Sequence, residues 1–261
     1  MRVLTGLIVL VCMSHCWAQL QISTEPEHGV TVQREKPWTQ AGLLVKPESG
    51  ISDAKIQLLK SAAAANDTDA LMTLASLAAS DMDAFEHVRR AAELGNHNAE
   101  YELAAMYAQG RGVRKDMDKA LLWGRKAAAG GDPKAEYALG LALVQNDSDA
   151  SVRNEGLEWM KKSAGAGSKR AILALATIYA LGDFGVPADE SKSEALLKPL
   201  AERNDMECQF ALASLYHLGK SYETKRHLSL EWLKRAKQNG HPEAGKILAE
   251  IERGKPGASE K

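Results

Sequence analysis

One interval dominates the sequence: an alanine-led pattern that returns about every 36 residues. Ala70, Ala99, Ala135, Ala171, Cys208 and Ala244 mark it, with steps of 29, 36, 36, 37 and 36 residues. A leucine four places later keeps the same steps, as Leu74, Leu103, Leu139, Leu175, Leu212 and Leu248. A constant period of this size, carrying helix-spaced apolar residues, confines the chain to an all-α solenoid. Each unit there hides its apolar face against copies of itself.

The clearest unit spans residues 98–132. Ala99, Leu103 and Tyr107 recur at four-residue intervals and share one helix face, with Ala104 beside them. Gly110 and Gly112 suit a helix end that needs positive φ and then a tight reversal. Asp116 precedes a second helix, where an acidic side chain caps free amides and meets the positive dipole end. Ala120, Trp123 and Ala127 form the stripe of that helix, and Gly130-Gly131 stops it. Trp123 returns as Trp159 and Trp232, with Leu196 between, so the three tryptophans are expected in the core. The terminal glycine returns as Gly131, Gly167 and Gly240, with Asn204 between; Asn is the usual substitute where φ is positive.

The copies are not uniform. Residues 67–96 lack the glycine turn and are about seven residues short of the period, which predicts a tight link near Ser80-Asp81. In residues 133–167, Asn146-Asp147-Ser148-Asp149 replaces the glycine turn, and residues 182–186 carry one extra residue. Pro199 falls inside a second helix and is expected to bend it. Leu58 with Ala62-Ala63 matches a lone second helix, and residues 242–252 match a lone first helix. About five helix-turn-helix repeats with capping half-repeats follow for residues 51–253, or about twelve helices. Residues 254–261 read as a disordered tail.

The first eighteen residues stand apart. Arg2 precedes the apolar run VLTGLIVLVCM, and Cys16-Trp17-Ala18 offers small residues where a signal peptidase reads. The run is short for a membrane span. Cleavage after Ala18 and a periplasmic or secreted location are therefore expected, with no stable membrane insertion afterwards. Cys12 and Cys16 leave with the signal, so Cys208 alone remains; it stands at an alanine position and is expected to be a small core residue. Residues 19–50 contain Pro26, Pro37 and Pro47 with no helical period and read as an extended lead-in. It is either a solvated tether or a segment whose Trp38 or Leu43-Leu44 docks onto the first repeat.

A formal net charge of −1 over 261 residues argues against a nucleic-acid binder that works by neutralising phosphates. No catalytic pattern stands out, and none calls for a cofactor. His28, His87, His97, His217, His227 and His241 show no metal-ligand spacing, although His217 and His227 flank a turn. Asp147-Ser148-Asp149 and Asp116-Met117-Asp118 lack the glycine and distant glutamate of a calcium loop, and helix capping accounts for them. A non-enzymatic protein is expected, with no metal site.

The string Gly-x-Gly-Val-x-x-Asp-x-x-Lys-Ala-x-x-Trp-x-x-Lys-Ala-Ala-x-x-Gly, at residues 110–131, resembles the Sel-one-like repeat, a relative of the tetratricopeptide repeat. Ala135-x-x-x-Leu139-Gly140 fits it as well. The resemblance implies a right-handed superhelix of helix pairs that holds one or more proteins in its concave groove, as a scaffold or adaptor. Exported relatives imply a second role, an immunity protein that neutralises a periplasm-acting toxin such as a phospholipase effector. A third, β-lactam binding or hydrolysis, belongs to disulfide-rich members whose cysteine pairs this chain lacks. Positions two and six residues after each marker turn partly toward the inner groove. The candidate partner-binding residues are Met72, Tyr101, Tyr137, Leu141, Leu173 and Phe210, with His217 further along the same side. For Tyr101 and Tyr137, packing between repeats competes evenly with partner contact.

Overall fold

The computed structural model describes residues 52–146, 149–218 and 222–253. Twelve α-helices and no strands occur among them: α1 Asp53–Ala64, α2 Thr68–Leu77, α3 Asp81–Glu93, α4 His97–Gln109, α5 Met117–Ala129, α6 Pro133–Asn146, α7 Ala150–Gly165, α8 Lys169–Leu181, α9 Glu190–Glu202, α10 Met206–Leu218, α11 Tyr222–Gln238 and α12 Ala244–Arg253. The expected signal at 1–18, the lead-in at 19–50 and the tail at 254–261 lie outside the described residues. Two compact units divide the chain between Ser168 and Lys169. Within each unit, helices adjacent in sequence pack on one another, which is the all-α solenoid pattern.

Local chemistry sets the helix boundaries. Asp67, Ser80, Asn96, Asp116, Asp149 and Asp189 each accept a hydrogen bond from an amide in the first turn of α2, α3, α4, α5, α7 and α9. The short first copy joins α2 to α3 through residues 78–80, the tight link its length requires. At the exit of α9, Asn204 takes φ 66°, matching the left-handed glycines Gly131, Gly167 and Gly240 at the same place in other repeats. Pro199 lies inside α9.

The marker positions are core throughout. All six residues of the alanine series, Cys208 included, and all six leucines are buried. The tryptophans divide. Trp232 is buried, whereas Trp123 and Trp159 are only half-buried, so the expected core role is corrected for those two. Each ring carries a cation three residues on: Lys126 Nζ lies 4.0 Å from the Trp123 centroid, Lys162 Nζ 4.9 Å from Trp159 and Arg235 4.6 Å from Trp232. One ring face packs inward and the other is roofed by a basic side chain that keeps its charge in water.

Small residues let the paired helices approach. A Cβ on Gly140 of α6 would meet the Gly156 carbonyl oxygen of α7 at 2.6 Å, and one on Gly156 would meet the Gly140 oxygen at 2.7 Å. At the same place in the last repeat, Ser229 of α11 donates to the Ala213 oxygen of α10 at 2.8 Å.

Candidate functional site

The candidate partner-binding residues all lie on the first helices of the repeats. The two series of inner positions are divided between the units. Met72, Tyr101, Tyr137 and Leu141 lie on α2, α4 and α6; Leu173, Phe210 and His217 lie on α8 and α10.

Burial sorts them further. Met72, Leu173 and His217 are half-buried, while Tyr101 and Tyr137 are each 6% exposed and Leu141 is buried. Tyr101 shares a buried cluster with Ala138, Leu139 and Ala142 of α6, so it packs between two repeats. Phe210 is fully buried at 0% exposure, with its ring stacked on His241 at 3.9 Å and 13°. The expectation of partner contact at Phe210 is therefore corrected: the turn after α11 brings His241 over the ring and closes it into the core. Ser214 beside it is buried too and donates to the Phe210 oxygen at 2.9 Å. Burial pushes the His217 imidazole below its ordinary value, and the Arg226 charge adds to that.

Several buried polar residues were not singled out in the sequence. Glu102, three residues after its marker, has no solvent exposure and pairs with Arg111 of the glycine turn. This holds the turn against α4. Glu136, one residue after its marker, pairs with Lys162 at 2.8 Å. Gln209, at the equivalent position, donates from Nε2 to the Ala201 oxygen at 2.9 Å and accepts from Asn239 at 2.8 Å. Asn96 with Thr68 and Ser163 with the Pro133 oxygen make similar ties. Apart from the Glu102 pair, each of these ties fastens the end of a second helix to the start of a first helix, fixing the repeat geometry. A polar side chain one or three places from a buried alanine, on an otherwise apolar helix, was the signal available.

In the second unit, Lys225 of α11 bridges Glu190 at 3.2 Å and Glu194 at 2.7 Å on α9, and lies 4.7 Å from the Tyr216 ring centroid. Burial, followed by a hydrogen bond to the Glu194 carboxylate, pushes the Tyr216 hydroxyl up. All four groups are used in joining three helices, which is a structural assignment. Among the described residues, no group of three His, Cys, Asp or Glu side chains could hold a metal ion, and no helix is long and apolar enough to cross a membrane.

A family model described as the Sel1 repeat matches residues 79–96, 97–132, 133–168, 169–205 and 207–241, well over half of the chain. The chain belongs to the Sel1-repeat family. Its helix pairs resemble a Sel1 repeat protein from Oxalobacter formigenes, at 24% identity and a TM-score of 0.59, over 77% of this chain and 60% of that one. They also resemble c5321, a protective antigen of uropathogenic Escherichia coli strains with the same fold, at 25% identity and a TM-score of 0.62. That match covers 75% of this chain and 43% of c5321. The chain thus spans less than two thirds of the length of either structure. No curated protein matches it. Sel1 repeats generally serve as protein-interaction scaffolds.

Proposed function

We propose that this Sel1-repeat chain is a non-enzymatic scaffold that holds a protein partner in the periplasm or secreted space. Five consecutive Sel1 repeats carry the reading, because their recurring residues are spent on packing and leave the inner positions to differ from copy to copy. The apolar run behind Arg2, followed by Cys16-Trp17-Ala18, supports export with cleavage after Ala18. The half-exposed inner residues are the contact points: Met72 in one unit, Leu173 and His217 in the other. Tagged protein expressed with its own leader should start at Gln19 by mass spectrometry. From the exported fraction it should retain one or more proteins in stoichiometric amount. A product that keeps Met1 in the membrane, or a fraction that yields no retained protein, overturns the proposal.

A further inference from the structure

The exit of α11 carries the only Asn-Gly pair in the sequence, Asn239-Gly240. At the other second-helix exits, the residue before the left-handed position is Ala65, Leu94, Gly130, Ala166 or Arg203, so none of them places a carboxamide there. In an Asn-Gly pair the glycine nitrogen is unshielded and its backbone turns freely, which favours attack of that nitrogen on the asparagine side chain. Asn239 and Gly240 are both exposed, so solvent reaches them.

The fold restrains both reacting groups. Asn239 Nδ2 donates to Gln209 Oε1 at 2.8 Å, which tethers the carboxamide. The Gly240 amide donates to the Lys237 oxygen at 3.1 Å, and the Asn239 amide to the Arg235 oxygen at 2.9 Å, so the nucleophile is engaged by the last turn of α11. The tether also has a direction. Gln209 is fully buried, and the Ala201 carbonyl that it meets at 2.9 Å only accepts, so Gln209 presents Nε2 there. Its Oε1 then faces Asn239, which must donate. A carboxylate at 239 has no proton to give at neutral pH. Turning Gln209 over to suit it would set Oε1 against the Ala201 oxygen and leave a buried acceptor unmet.

We propose that Asn239 is a site of deamidation, gated by its tether to Gln209. When the end of α11 opens, the Gly240 nitrogen loses its proton and bonds to Asn239 Cγ. The Cγ–Nδ2 bond breaks, and ammonia leaves with that proton. Solvent water then opens the cyclic imide at either carbonyl. One product is aspartate; the other is isoaspartate, in which the main chain runs through the side-chain carboxyl and gains a methylene. Neither product restores the donor to Gln209. The longer backbone also enters just before His241, whose amide donates to the Ala236 oxygen at 2.9 Å and whose ring is stacked on Phe210. A transient opening of the last repeat is thereby recorded as a permanent loosening of α12. The inference is independent of the scaffold reading.

Peptide mapping by mass spectrometry tests the gating in the full chain. Purified protein is held in mildly alkaline buffer, folded in one sample and unfolded in urea in another, and conversion at Asn239 is followed with time. The unfolded sample should convert at least about tenfold faster than the folded one. The Gln209→Met variant keeps the side-chain length without the acceptor, and when folded it should convert at least about threefold faster than the folded unmodified chain. Equal rates in the folded and unfolded samples, no conversion in urea, or a folded Gln209→Met variant no faster than the unmodified chain would each overturn the proposal. The urea comparison uses the unmodified chain and decides the case even where Gln209→Met fails to fold. Hydrogen exchange on Asn239→Asp, a change at an exposed position, reads the consequence. Amides of α12 should exchange at least about threefold faster than in the unmodified chain, while those of α8 keep their rates. Unaltered exchange in α12 would refute the loosening.

Discussion

At the residue scale, two comparisons separate conformational from packing demands. Gly112 has φ 69°, and a Cβ there would collide with the Asp81 carbonyl at the start of α3. Gly131 has φ 81° with open space around it. Gly131→Ala should therefore cost only the left-handed penalty, about 1–2 kcal/mol. Gly112→Ala adds an overpacking cost of about 1–3 kcal/mol and should lose roughly twice as much in urea unfolding. Equal losses would mean that the turn yields without resistance. The buried serines give the second comparison. Ser229 donates to Ala213, whereas the Ser193 hydroxyl, at the equivalent place in α9, is buried with no hydrogen-bond partner. Ser229→Ala should lose about 1 kcal/mol, and Ser193→Ala should be neutral or slightly stabilising because it removes an unsatisfied polar group. Chemical denaturation of both variants checks the order.

At the scale of the element, the half-buried tryptophans decide how much a second helix depends on its large side chain. Trp232 is 8% exposed and belongs to a buried cluster drawn from α9, α10, α11 and α12, with Ala176 of α8. Trp159 keeps one face under Lys162 and donates from Nε1 to Glu155 at 3.4 Å. Trp232→Ala should cost about 3–5 kcal/mol. Trp159→Ala should cost less, about 2 kcal/mol, since part of its surface is already hydrated. Calorimetry of the two variants tests this, and an equal cost would restore Trp159 to the core. Equal spacing made these rings look equivalent in the sequence. Periodicity reports which side of a helix a residue occupies, and it reported that correctly for the alanine and leucine series, the caps at Asp116 and Asp149 and the left-handed Asn204. It does not report how deep that side lies, which depends on the neighbouring repeat. Phe210 shows the same limit: its inner register was legible, but His241 closes over it from 31 positions further along the chain. The Glu102–Arg111 pair was hidden for another reason, since a glutamate at a helical position looks solvated until the turn folds back on it.

At the scale of the whole molecule, the architecture predicts a gradient of stability. In a row of helices stabilised by nearest neighbours, a terminal helix has a neighbour on one side only and opens at lower free energy than an internal one. The first unit shows the extremes. Helix α1 buries only Ala63 and leaves Leu58 at 70% exposure, whereas α4 buries every residue from Ala99 to Tyr107. The polar face of α1 suits a solvated end, and its apolar side packs on α2. Native-state hydrogen exchange should find the amides of α1 at least about tenfold less protected than those of α4, with α2 and α3 between. A mutation separates this gradient from global unfolding. Ala63→Gly truncates the one buried residue of α1 and lowers helix propensity by about 1 kcal/mol. It should accelerate exchange in α1 while leaving α4 unchanged. If α1 and α4 instead exchange together in both proteins, the unit opens as a single cooperative block and the nearest-neighbour description fails for this chain.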